Sequence, residues 1–153
     1  YPFLQDRKVK LIGIEAAGEG LKSGRHSSSL SKGTVGILHG MKSYLLQNSD
    51  GQVQLAHSIS AGLDYPSVGP EHSYLKDSGR VKYETVTDKE ALEGFKLLTT
   101  LEGIMPALEP AHVIGFLKRF IRKTKRKECV GICLSGRGDK DIDTVRTAFD
   151  NAK

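Results

Sequence analysis

No apolar run in this chain approaches the ~20 residues that cross a bilayer, so no membrane-spanning helix is expected. The first residues lack the basic-then-apolar order of a secretory signal, and internal repeats and low-complexity tracts are absent. Cysteine is scarce, at two residues, Cys129 and Cys133. Both fall in a run that reads as a strand, where a four-residue separation places their Cα atoms about 13 Å apart. A disulfide needs Cα atoms within about 7 Å, so the pair is not expected to bridge. Their spacing, with no neighbouring His, also argues against zinc. The expectation is two buried, reduced core cysteines in an intracellular protein.

Charge of one sign is only mildly in excess, at a formal +5, with seven Lys or Arg concentrated in residues 118–127. That run holds one aromatic, Phe120, and no groove-reading motif, so it reads as the basic end of a helix and a solvated loop rather than a nucleic-acid surface. What remains is the composition of one globular domain, 38% hydrophobic and 27% charged over 153 residues, long enough to bury a core. The chain opens at Tyr1 without Met and reaches the apolar run Val9–Ile14 almost at once, which reads as a start in mid-protein.

Val9–Ile14 reads as a buried strand, with residues 15–20 as the small-residue loop that ends it. Residues 22–32, rich in serine, have no period and read as an irregular segment. Val35–Leu38 and Ser43–Gln47 are short strand-like runs around His39-Gly40. Asp50-Gly51 signals a hairpin whose return strand is Val53–His57. His39, between apolar residues, reads as packed. Ser58–His72 is stiffened by Gly62, Pro66, Gly69 and Pro70 around Asp64 and Tyr65, which suits a cation or substrate contact. His72–Ser78 reads as a short helical turn capped by Gly79.

Val81–Val86 alternates as a strand. Thr87 with Glu90 forms a capping box for a helix over Lys89–Leu101, whose stripe is Ala91, Leu92, Phe95, Leu98 and Leu101. A second helix is expected over Pro110–Lys123 with the stripe Val113, Ile114, Leu117, Phe120 and Ile121. Glu109 lies just ahead of it, where the dipole favours a carboxylate. Cys129–Leu134 then reads as a buried strand, Ser135–Gly138 as its loop, and Asp141–Ala152 as the last helix. Strands alternating with helices predict an α/β fold, a mainly parallel open sheet with helices on both faces, in a single segment. In such sheets ligands sit where a strand feeds a helix through a small-residue loop, which makes Ser135 a candidate hydrogen-bonding group.

Several long stretches, HSISAGLDYPSVGPEHSYLKDSGR (57–80), TDKEALEGF (87–95), EGIMPALEPAH (102–112) and LSGRGDKD (134–141), with GIEAAGEG (13–20) and LHGMKSYLLQ (38–47), closely resemble the carboxyl-terminal part of the tryptophan synthase β chain. The resemblance implies a pyridoxal phosphate enzyme of the second fold type that joins L-serine and indole to give L-tryptophan and water. Its implied partners are an α chain or domain, a second β chain, and the upstream part of its own chain. A cytoplasmic or plastid location would follow, with neither nucleic acid nor membrane as a partner.

By the same resemblance, Ser135 hydrogen-bonds the cofactor's pyridine nitrogen; a neutral partner there leaves that nitrogen unprotonated, which suits replacement at Cβ. Glu109 lies by the cofactor ring, Gly62 borders the substrate, and Asp64 pairs with an arginine of the mobile domain. Carbonyls of Leu63, Tyr65 and Ser67 bind a monovalent cation, Na or K. Leu38 and His39 line the indole tunnel, where many relatives carry bulkier aromatic side chains. The family's Schiff-base lysine, its glycine-rich phosphate loop and its indole-activating glutamate match nothing in these residues. Lys140 belongs to the structural GRGDKD loop, so the segment alone is expected to be inactive. The alternative expectation is a non-catalytic remnant or interaction domain of the same fold.

Overall fold

Strand β1, Leu11–Gly18, and strand β4, Val81–Thr87, form a parallel pair in register from Leu11↔Val81 to Ala16↔Val86. The register then slips, so that Gly18 opposes Thr87. These elements come from a computed structural model that describes residues 2–125 and 127–151. Between the two strands run a helical turn α1 (Ser29–Lys32), the antiparallel hairpin β2 (Thr34–Leu38) and β3 (Met41–Leu45), a 3-10 turn at Ala61–Leu63, and helix α2 (Pro70–Asp77). After β4 come α3 (Asp88–Glu102), α4 (Leu108–Ile121), a second 3-10 turn at Gly138–Asp141, and α5 (Ile142–Asp150). The fold is therefore mixed α/β, with a small parallel sheet on which helices pack. No described helix is long and apolar enough to cross a membrane.

Helices α3 and α4 form the densest part. The Thr87–Glu90 capping box is present in both directions, and Gly103 ends α3 in the left-handed region at φ 67°, as a C-terminal glycine should. The two helices cross at paired glycines. A Cβ on Gly94 would stand 2.5 Å from the Ala111 carbonyl, and one on Gly115 would stand 2.5 Å from the Glu90 carbonyl. One core cluster joins Phe95, Leu108, Ala111 and Val145, with Ile59 packed against it. A second joins Val86, Ala91 and Phe116 with Ile12 and Ile14 of β1, which seats the sheet on the helix pair.

Several expectations are corrected. Strand β1 does not stop at Ile14 but runs through the buried Glu15 to Gly18. The hairpin turns at His39-Gly40, with φ of 49° and 75°, the two left-handed residues of a type I′ turn. His39 is exposed rather than packed. The chain does turn at Asn48–Gly51, but the return strand Val53–His57 reduces to one bridge, Gln47↔Val53. The serine-rich segment, expected to be irregular, ends in the helical turn α1, and residues 26–30 are buried.

Helix α4 starts at Leu108, so Glu109 lies in its first turn instead of ahead of it. Its buried face is Ala111, His112, Ile114, Gly115 and Phe116, while Ile121 is exposed, as is Leu101 at the end of α3. The small residues allow a close crossing that a count of large apolar side chains misses. The last helix begins at Ile142, and Ala152, placed at its end by the sequence reading, lies outside the described residues. Arg126 of the basic run lies outside them too.

The largest correction is Cys129–Leu134, which is not a strand. It has no ladder partner, and both cysteines are exposed and free. A strand exists by pairing, and among the described residues this run joins no ladder. At the other end, Arg80 holds residues 3–9 from within. Its guanidinium donates to the carbonyls of Phe3, Leu4, Asp6 and Val9 at 2.6–3.1 Å.

Candidate functional site

The start of α4 brings Glu109, Gly62 and the Ser135 loop together. The Ser135–Gly138 loop lies against the α3–α4 connection through the bridge Pro106↔Arg137. The Gly138 N–H donates to the Met105 carbonyl (2.9 Å) and the Ala107 N–H to the Gly136 carbonyl (3.3 Å). Asp141, buried at the end of this loop, accepts the Leu108 N–H at 2.8 Å. That bond satisfies a donor the first helical turn leaves free. Ser135 itself is exposed, with no hydrogen-bond partner among the described residues.

Glu109 is half-buried and accepts the Gly62 N–H at 3.0 Å, which ties the 3-10 turn at Ala61–Leu63 to α4. A Cβ on Gly62 would stand 2.6 Å from the same carboxylate oxygen, so only glycine permits this approach. Lys140 reaches Glu109 at 3.1 Å and Asp141 at 2.8 Å, bridging the two acids. Burial works against the charge on Glu109, but its own backbone N–H, Lys140 and Gly62 outweigh it and hold the carboxyl below its ordinary value. Hydrogen bonding to Asp141, then to Glu109, pushes the Lys140 ammonium up despite some desolvation. Lys140, a structural loop residue by the resemblance, is thus a direct partner of a predicted site residue. Its signal was position, between two acids of the same loop.

Asp64 follows the 3-10 turn, exposed, its carboxylate without a partner among the described residues. The carbonyls proposed for a cation divide. Leu63 accepts the Tyr65 N–H at 2.9 Å, whereas the carbonyls of Tyr65 and Ser67 accept no hydrogen bond among the described residues. Ser67 is locked in place, its hydroxyl donating to the Tyr44 carbonyl (2.9 Å) and accepting from Ser43 (2.8 Å). His39 stacks on Tyr65, with ring centroids 6.2 Å apart and planes at 19°. His39, of the pair expected to line a tunnel, therefore adjoins the loop expected to hold a cation, a proximity the sequence does not reveal.

A cavity of about 340 Å³ is lined by Gly62, Leu63, Tyr65 and Ser67 on one side and by Glu15 and Tyr83 on the other. Ser135 and Glu109 do not line it, so the predicted residues divide between this cavity and the start of α4, with Gly62 on the border. The cavity's carboxylate, Glu15, was not anticipated, although an acid inside an otherwise apolar strand was the available clue. Glu15 accepts from the Leu30 and Ser31 N–H groups (2.7 and 3.0 Å) and the Ser31 hydroxyl (2.6 Å), and burial outweighs these bonds to push its carboxyl up. Tyr83, hydrogen-bonded to His72 at 2.8 Å, is pushed up to about 12 by burial and then by Glu15 and Glu71.

A search with protein-family models returned no match for the chain.

Proposed function

We propose that the chain is the carboxyl-terminal part of a tryptophan synthase β chain, which joins L-serine and indole to give L-tryptophan and water. The observation that carries this reading is the bond from Gly62 to Glu109, 47 residues apart, beside the start of α4 against which the Ser135 loop is paired. Gly62 and Glu109, two of the residues implied by the resemblance, are thus joined at one helix start, and the loop that carries Ser135 is bonded just ahead of it through Gly136 and Gly138.

The residues present fit the pyridine side of pyridoxal phosphate. A pyridine nitrogen is an acceptor, and Ser135 offers a hydroxyl with no partner of its own among the described residues. When bound, the cofactor supplies an electron sink. The chain's own work is to hold and orient. Ser135 would donate to the ring nitrogen of the bound cofactor, and Lys140 and Gly62 hold Glu109 as an anion. Asp64 offers a free carboxylate to an arginine of the mobile domain. The open carbonyls of Tyr65 and Ser67 suit a monovalent cation better than that of Leu63. Leu38 and His39 border the indole path. The partners under this reading are the upstream part of the β chain, an α chain or domain and a second β chain, in the cytoplasm or a plastid.

The second reading, a non-catalytic interaction domain, draws on one observation. Ile104, Met105, Val130, Leu134 and Ile142, from segments flanking or pairing with the Ser135 loop, are all exposed, which suits docking on further protein whether or not chemistry follows. Mixing the folded chain with an upstream β-chain fragment and assaying serine-plus-indole turnover separates the two. Turnover that appears only in the mixture supports the enzyme segment; a stable, inactive mixture supports the interaction domain. The chain alone with pyridoxal phosphate is expected to give no borohydride-trapped label on one specific lysine.

A further inference from the structure

Outside the site just described, three charged side chains, Glu19, Arg25 and Asp88, meet at His57. Its Nε2 lies 3.0 Å from Asp88 Oδ2, and its Nδ1 lies 3.4 Å from Arg25 Nη2. Arg25 pairs with Glu19 at 2.9 Å, and Glu19 stands 3.9 Å from His57 Nε2. An arginine nitrogen only donates, so Nδ1 must accept, which leaves the single ring proton on Nε2, donated to Asp88. The arrangement selects one neutral tautomer. The backbone of His57 is fixed as well, its N–H donating to the His26 carbonyl (3.3 Å) and its carbonyl accepting from the Ser27 hydroxyl (2.9 Å).

Asp88 does more than receive the imidazole. Its other oxygen accepts the Ile59 N–H at 3.1 Å, and the Ile59 side chain packs on the core beside Phe95 and Leu108. One carboxylate therefore grips residues 57 and 59, and the buried hydroxyl between them, that of Ser58, accepts the Ser60 N–H at 3.1 Å. Two residues further on, Gly62 donates to Glu109. Asp88 is the first residue of α3, where the helix dipole favours its charge.

We infer that His57 and Asp88 are positioning residues for the Gly62–Asp64 loop, and that this positioning changes when His57 takes a second proton. The added proton goes to Nδ1 and points at Arg25, donor against donor and cation against cation. Arg25 has another acceptor in Glu19 and withdraws to it, while Asp88 and Glu19 retain the imidazolium. The loop root is then gripped on one side instead of two. The other imidazoles that face this network are His26, whose carbonyl accepts the His57 N–H, and His112, which lies in the field of Asp88; burial holds both below the ordinary imidazole range. The inference rests on the proposed function only in treating Gly62 and Asp64 as site residues.

The test is a two-dimensional NMR titration of the 153-residue chain between pH 5 and 8. The Ile59 and Gly62 amide shifts are expected to follow the His57 ring with a shared midpoint. His57→Gln, which keeps a donor toward Asp88 but does not titrate, is expected to remove that inflection. His57→Ala is expected to displace both amides at every pH, and if it fails to fold the other two titrations still decide. Amides that stay flat while the ring titrates overturn the inference. So does an inflection that survives in His57→Gln, which would assign it to His26 or His112. The readout involves no turnover, so its failure leaves the proposed reaction standing, and inactivity of the reconstituted enzyme leaves the loop coupling standing.

Discussion

The α4 start is bonded to the Ser135–Gly138 loop and the Cys129–Leu134 run leads into it, and the two behave in opposite ways. At the α4 start, Asp141 caps Leu108, Lys140 bridges two carboxylates, and Gly62 closes on Glu109. The Cys129–Leu134 run has the stronger apolar pattern, yet it forms no ladder and leaves Val130 and Leu134 exposed. Polar groups that find partners inside the chain are fixed by it. An apolar run with no edge to pair against is not, however strand-like its residues.

The largest expected effect tests the packing behind the ordered side. Gly115→Val drives its side chain into the Glu90 carbonyl and should cost at least about 3 kcal/mol in chemical denaturation; a loss below 1 would mean that the helices move apart easily. Asp141→Ala leaves the Leu108 N–H buried without its partner, and about 2 kcal/mol is expected from the same assay. If stability is unchanged, the capping role is wrong.

Lys140→Met should cost only about 0.5 kcal/mol, because the ammonium is half exposed, but it should raise the Glu109 titration midpoint. Glu109 is held below its ordinary value, so its contribution to stability is full above the ordinary carboxylate range and is lost as pH falls through the lower folded value. The variant should move that acid loss to higher pH, as followed by carboxyl NMR and acid unfolding. An unmoved midpoint would remove Lys140 from the site. The smallest effect belongs to the other region: Val130→Asp should change stability by no more than about 0.5 kcal/mol. A loss above 2 would show that the run is packed after all and would erase the contrast.

The features legible in the sequence were those whose cause lies within a few residues. Thr87 and Glu90 announce their cap, and Gly103 its helix end, because both partners sit in one turn of chain. Glu109 was legible as a carboxylate at a helix start, though a two-residue shift of that start, from Pro110 to Leu108, placed it inside α4 rather than before it. His39-Gly40 lost to Asp50-Gly51 as the expected hairpin turn because the latter has the commoner turn residues. The backbone chose the pair that joins Thr34–Leu38 to Met41–Leu45. Glu15, Lys140 and the stacking of His39 on Tyr65 depend on which distant segment arrives, and local pattern carries no record of that. The glycine crossing of α3 and α4 escaped for a related reason: its driving surface is backbone, which a search for apolar side chains does not weigh.

Arg80 has a consequence for how the molecule comes apart. Its guanidinium organises residues 3–9 around carbonyl oxygens, and one of its nitrogens, Nη2, with two hydrogens, serves three of the four carbonyls. Among the described residues, the hydrogen bonds that tie this segment to the rest of the chain all come from that one side chain. Arg80→Lys would keep the charge but lose the fork, and trypsin should then cut after Arg7 or Lys8 long before it reaches β1. Under limited digestion the first cut would mark the place where the chain is held by a single side chain.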